Sequence, residues 1–344
     1  MGRRMIPHRG PAMREILARV HPRLQAVAGT MRPVYVASCS ATGMMEAAVR
    51  GASRQRMLAL VSGAFGERFA RIAEACGREV TRVTVPAGDV VTVEQLAIAL
   101  EHGSYDAVTA VHVETSTGVV QDVEAFARIT RARPDTMLIV DAVASVGGMP
   151  VLMDAWGVDV VVSASQKALA VPPGLAFAAC SERAMERCVT LPGRGMYLDL
   201  ARYDEFWRKG ETLGTPALSV LFALDAQLEA IEAEGLERRF MRHLAMRSAV
   251  TKWVAAAHDR HLPVSFLAAA EHRAPTVSCL RYAGDCADLL ERLRLRGFVV
   301  GAGYGELARG TIRIGHMGDH TVAETEALLG AMDEAMVEAT RVTT

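Results

Sequence analysis

Short runs of β-branched and small apolar residues recur through the first half of the chain, separated mostly by stretches with helical spacing, and this alternation constrains the fold most. The runs occupy residues 34–37, 57–61, 80–85, 107–113, 136–140, 158–162 and 175–179. Such alternation predicts an α/β architecture, a mainly parallel sheet covered by helices. In one intervening stretch Phe65, Phe69, Ile72 and Ala73 share a helical face while Glu67, Arg68, Arg71 and Glu74 fall elsewhere. Val123, Phe126 and Ile129 repeat the pattern, so both apolar faces are expected to be core.

After about residue 225 the texture changes to a long charged helical stretch over 227–258, expected to bridge two parts of the chain. Strands then follow at 276–282, near 298–300 and at 311–314, with helices over 287–296 and at the C-terminus. This predicts an N-terminal segment (1–15), a large α/β domain (16–230) and a smaller C-terminal α+β domain (231–344). No internal repeat or low-complexity tract interrupts them.

Charge narrows the partners. With 38 basic against 39 acidic residues the formal charge is −1, which calls for neither nucleic acid nor an anionic membrane, so a small-molecule ligand is expected. The six cysteines are scattered without metal-ligand spacing, which fits reduced thiols in a cytoplasm and no structural zinc. Residues 1–8 are basic but lack an apolar signal core, and no run approaches the roughly 18 apolar residues of a membrane span, so a cytoplasmic location is expected.

In a doubly wound sheet, ligands sit beyond the carboxyl ends of the strands. The first such end carries Ser38-Cys39-Ser40-Ala41-Thr42-Gly43, readable either as a phosphate cradle at a helix N-terminus or as an ordinary cap at Thr42. It lacks the Gly-Lys-Ser/Thr of a nucleotide-binding loop, and Gly301, Gly303 and Gly305 lack dinucleotide spacing. Another strand end gives Asp141, either a structural cap or a ligand to something positive, because a buried carboxylate needs a cationic or donor partner. Over residues 158–179 only Asp159 and Lys167 are charged, in a chain with three lysines among its 38 basic residues. Lys167 is either a snorkelling side chain or a desolvated amine able to form an imine, a task arginine cannot perform. A phosphate cradle, an acid for a pyridinium nitrogen and an imine-forming lysine are together the anchors that pyridoxal phosphate (PLP) requires.

Longer motifs carry a resemblance. Asp141-Ala-Val-Ala-Ser-Val-Gly-Gly-Met-Pro, Met153-Asp-Ala-Trp-Gly-Val-Asp159, Ser163-Ala-Ser-Gln-Lys167-Ala-Leu and Pro172-Pro-Gly174 occur in order, with Ser62-Gly-Ala-Phe-Gly66 and Glu114-Thr-Ser-Thr-Gly118 before them. This series resembles the class V, fold-type I PLP-dependent aminotransferases, specifically the alanine–glyoxylate/serine–pyruvate group. The resemblance implies that Lys167 is the Schiff-base lysine, Asp141 the pyridinium partner, and Gln166 a residue near the cofactor phosphate or ring. It further places Ser40, Ala41 and Thr42 at the phosphate, Phe65 on the ring face and Thr115 beside the ring's 3-oxygen. Thr212 and Thr215 match positions that reach the phosphate across a homodimer interface, and Arg313 matches the arginine that holds the substrate carboxylate.

On the residues alone Arg313, set between Ile312 and Ile314, serves either a carboxylate ligand or a structural ion pair. The implied activity moves an amino group from alanine or serine to glyoxylate or pyruvate. One alternative is a cysteine desulfurase or lyase, whose members carry His before the lysine where this chain has Gln166. Another is a catalytically idle PLP-binding protein, against which Lys167, Asp141 and Arg313 argue.

Overall fold

The structure is a computed structural model that describes residues 4–342; residues 1–3 of the expected N-terminal segment and 343–344 at the other end lie outside the described residues. The first half builds a seven-stranded sheet. Its strands are β1 (Val34–Ala37), β2 (Arg56–Val61), β3 (Glu79–Thr84), β4 (Ala107–Val111), β7 (Met137–Asp141), β8 (Val160–Ala164) and β9 (Ala176–Cys180). A two-residue hairpin, β5 (Val113–Glu114) with β6 (Val119–Val120), stands beside it. The strand order is β1-β9-β8-β7-β4-β2-β3. Neighbours from β3 through β8 run parallel, and β9 is antiparallel to both β8 and β1. The expected mainly parallel α/β sheet is therefore present.

Eight helices belong to this half: α1 (Pro11–Ala28), α2 (Ala41–Ala52), α3 (Ala64–Ala75), α4 (Val93–His102), α5 (Val123–Arg131), α6 (Met153–Trp156), α7 (Glu182–Thr190) and α8 (Leu200–Arg208). One apolar cluster packs α1 and α5 on the sheet through Leu17, Val20, Phe126 and Leu138, and a second packs α2 and α8 through Met44, Val49, Ile139 and Leu200. The inner strands are apolar on both faces because both are covered, while the edge strand β3 carries Glu79 and Arg82 and is only partly buried. All parallel strands consequently deliver their carboxyl ends to one edge.

Then come α9 (Leu218–Glu234) and α10 (Leu236–Asp259), followed by β10 (Val264–Phe266), β11 (Val277–Tyr282), α11 (Cys286–Leu295), β12 (Gly301–Ala302), β13 (Thr311–Gly315) and α12 (Val322–Val342). The four strands form an antiparallel sheet in the order β10-β11-β13-β12. Its core joins Val250, Leu280, Leu289, Ile312 and Met332. Among the described residues, no helix is long and apolar enough to cross a membrane.

Four expectations need correction. The charged stretch over 227–258 is two helices, because Gly235 at φ 82° and ψ 136° interrupts the helical path. The run 107–113 is not one strand: β4 ends at Val111, and the His112 N–H turns to the Asp141 carbonyl. Residues 298–300 form no strand; after the turn at Gly297 (φ 86°), Val299 is exposed and pairing begins only at Gly301. Finally, Phe65 leaves the core face of α3, being half-buried while Phe69 and Ala73 are buried.

Candidate active site

One cavity at the carboxyl edge of the large sheet gathers Ser40, Ala41, Thr42, Phe65, Thr115, Asp141, Gln166 and Lys167, together with Arg68. These residues follow β1, β2, β5 and β8 or, for Asp141, end β7, so the parallel strand order brings distant segments together. A larger cavity of about 680 Å³ opens beside it past Gly63, Arg68 and Tyr304. The titratable pair Lys167 and Asp141 belongs to the smaller one.

Ser40, not Thr42, is the N-cap of α2, and its hydroxyl makes no capping hydrogen bond. The start of this twelve-residue helix, Ser40 to Thr42, therefore lines the cavity without a cap from the Ser40 hydroxyl, an arrangement that favours an anion.

Asp141 ends β7 with only 4% of its surface exposed. It accepts the Val143 N–H at 2.9 Å and forms no ion pair among the described residues. Burial, with the nearby Glu114, pushes its pKa up to about 7 against the pull of the Val143 amide, Lys167 and Arg68. Lys167 lies past β8 in a tight turn. The Ser165 hydroxyl donates to the Pro172 carbonyl at 2.8 Å, and the Ala170 N–H returns to the Lys167 carbonyl at 2.9 Å. The ammonium is half-buried, without an ion pair among the described residues, and burial plus the charge of Arg313 lower its pKa.

Glu114, fully buried, organises the opposite wall and was read from sequence only as part of a motif. Its carboxylate accepts the N–H groups of Phe65, Gly66 and Ser116, each at 3.0 Å, and the Ser116 hydroxyl. It thereby fixes the start of α3, which carries Phe65, against the segment that carries Thr115. Gly63 is required there by close approach, since a Cβ would meet Ser116 Oγ at 2.4 Å and Glu114 Cγ at 2.6 Å.

Arg313 forms no ion pair among the described residues and is not part of the cavity lining. Its Nε donates to the Ala302 carbonyl at 2.8 Å and its Nη1 to the Thr115 carbonyl at 3.4 Å. Sequence reasoning missed Arg68 and Tyr304. Arg68 lies over the Phe65 ring at 4.8 Å and donates to the Tyr304 hydroxyl at 2.7 Å, and the Phe65 and Tyr304 rings are 5.5 Å apart. Thr212 and Thr215 lie outside the cavity: Thr212 is buried and donates to the Gly214 carbonyl at 2.7 Å, while Thr215 is exposed.

The family description Aminotransferase class-V matches residues 64–327, more than half of the chain. The chain belongs to the class V aminotransferases. Members of this family work with PLP, so the chain is a PLP-dependent transaminase of fold type I. The L-aspartate–glyoxylate aminotransferase of Paracoccus denitrificans is 32% identical over 97% of this chain and 85% of its own length. A protein named soluble hydrogenase, small subunit, from Synechococcus is 33% identical over 98% of this chain and 88% of its own. The solved alanine–glyoxylate aminotransferase of Nostoc superposes with a TM-score of 0.90 at 30% identity, over 97% of this chain and 90% of that one.

Proposed function

We propose that this aminotransferase moves an amino group from a small L-amino acid, alanine or serine, to a 2-oxo acid, glyoxylate or pyruvate, as a cytoplasmic homodimer. The observation that carries the reading is a half-buried Lys167 without an ion pair, sharing a cavity with a buried Asp141 that has no cationic partner among the described residues. The names of the Paracoccus and Nostoc relatives supply the glyoxylate.

The residues fit PLP. Asp141 lacks the positive partner that a protonated pyridine nitrogen provides, and the cap position at Ser40 lacks the acceptor that a phosphate provides. Lys167 Nζ would hold the aldehyde carbon, Phe65 the ring face, Thr115 the 3-oxygen side and Gln166 the phosphate or ring edge. Ser40, Ala41 and Thr42 would hold the phosphate, and Thr212 and Thr215 of a second copy of the chain would join them. Bound PLP supplies an electron sink for the pair left when a substrate Cα–H bond breaks. Asp141 would hold the proton on the ring nitrogen by pairing with it. Lys167 Nζ, its basicity lowered by burial, would take the proton from the substrate Cα and deliver it to the carbon that had carried the cofactor's aldehyde. Arg313 offers its guanidinium to the substrate carboxylate. We read residues 16–230 as the cofactor-binding domain, 231–344 as the smaller domain and 1–15 as a leading segment.

A desulfurase would need a reactive thiol at the site, and the cavity lining contains no cysteine. The test follows the visible band of lysine-bound cofactor in purified protein given L-alanine or L-serine and then glyoxylate. Loss of the band on the amino acid and its return with glyoxylate is the expected result. A band that neither reagent moves contradicts the reading.

A further inference from the structure

Arg239 is the bulkiest of the fully buried side chains, with 1% of its surface exposed. The helix break at Gly235 sets it on the first turn of α10, where its own N–H donates to the Gly235 carbonyl. From there the guanidinium reaches under the active-site edge of the sheet. Its Nε donates to the Gly147 carbonyl at 3.0 Å, and its Nη2 donates to the Ala168 carbonyl at 2.8 Å and to Asp319 at 3.1 Å. Its Nη1 pairs with Glu234 at 2.8 Å. Gly147 belongs to the turn that follows Asp141, Ala168 is the neighbour of Lys167, and Asp319 lies in the loop that follows the strand of Arg313.

The turn so gripped is strained. Ala170 adopts φ 56°, a left-handed conformation that a non-glycine residue keeps only where its surroundings enforce it. The loop of Asp319 presses on the same turn, since a Cβ on Gly318 would lie 3.0 Å from the Ala170 Cβ. Only a planar fork with several fixed donors meets two carbonyls and two carboxylates at once; a lysine ammonium at that depth could not.

We infer that Arg239 is a positioning residue that clamps the Lys167 turn to the turn after Asp141, holding the amine and the carboxylate in register across the cavity. The inference rests on Lys167 being the lysine that carries PLP. Arg187 offers an internal control: it is also buried and grips the carbonyls of Ala52, Asp106 and Asp135, but at the amino ends of β4 and β7, away from the cavity.

The experiment compares Arg239→Met with Arg187→Met in full-length protein loaded with PLP. It reads the thermal midpoint, the rate of PLP loss on dilution and the pH midpoint of the lysine-bound band. Both variants should lose thermal stability. Arg239→Met alone should release PLP roughly tenfold faster or more, the scale set by losing a supporting hydrogen-bond shell, and move the pH midpoint. Unchanged release and midpoint in folded Arg239→Met overturn the inference.

If that variant does not fold, Asp319→Asn and Glu234→Gln decide. Asp319 shares the nitrogen that holds Ala168, whereas Glu234 binds the nitrogen that holds neither carbonyl. Faster PLP loss in Asp319→Asn than in Glu234→Gln supports the clamp, and equal rates overturn it. Absence of a lysine-bound band in the unmutated protein removes the underlying reading as well, so the two failures are distinct.

Discussion

Replacing Asp141 by Asn separates what the carboxylate does for the cofactor from what it costs the fold. In the cofactor-free chain the group is buried, retains one amide donor, and has its pKa pushed from 3.8 to about 7. In the unfolded chain the proton leaves near 3.8, so between that value and 7 the folded state binds more protons than the unfolded one. Stability is therefore lost as pH rises through this window and levels off above it. At 1.36 kcal/mol per unit the loss is about 2 kcal/mol at pH 5 and about 4 kcal/mol at pH 8.

Asn keeps an acceptor for the Val143 N–H and carries no charge. Urea unfolding of cofactor-free protein should consequently show Asp141→Asn more stable than wild type, by about 4 kcal/mol at pH 8 and by nothing measurable below pH 4. With PLP bound the order should invert in function, the variant losing amino-group transfer by orders of magnitude. A stability difference that does not change between pH 5 and pH 8 would refute the argument, because the burial penalty would then be absent.

Lys167→Ala should abolish the visible band of lysine-bound cofactor, and borohydride should fix the cofactor to Lys167 in wild type; mass spectrometry that finds it on Lys209 or Lys252 contradicts the assignment. Glu114→Ala strands the buried N–H groups of Gly66 and Ser116, each costing about 1–3 kcal/mol, and the part-buried one of Phe65, so a fall of at least about 2 kcal/mol in urea unfolding is expected. A loss below about 1 kcal/mol would mean that water replaces the carboxylate at little cost. Arg313→Gln should raise the KM for the amino donor by about 10- to 100-fold, the value of a charge-assisted hydrogen bond, while PLP affinity stays within twofold. Equal losses in both quantities would point to disruption of the wall at Thr115, whose carbonyl Arg313 also holds.

Legibility from sequence followed the range of the interactions. The parallel sheet was readable because strands buried on both faces leave continuous apolar runs, and Asp141 and Lys167 stood out because charge is rare within such runs. Phe65 misled the periodicity: it shares a helical face with Phe69 and Ala73, yet it sits in the first turn of α3, where that face emerges at the cavity. The break at Gly235 was hidden by strongly helical neighbours on both sides. Arg68 and Tyr304 meet across a long sequence separation, and Glu114 works through backbone amides that no side-chain pattern records. Buried, charge-poor segments announced themselves; partners joined only by tertiary contact did not.

The central claim is amino-group transfer, and isotope tracing tests it most directly. Purified protein with PLP, given L-alanine labelled with nitrogen-15 and unlabelled glyoxylate, should yield labelled glycine and pyruvate in equal amounts, and Lys167→Ala should yield neither. Pyruvate formed with the label released as ammonia, or no turnover of any small amino donor by protein that binds PLP, would contradict the account.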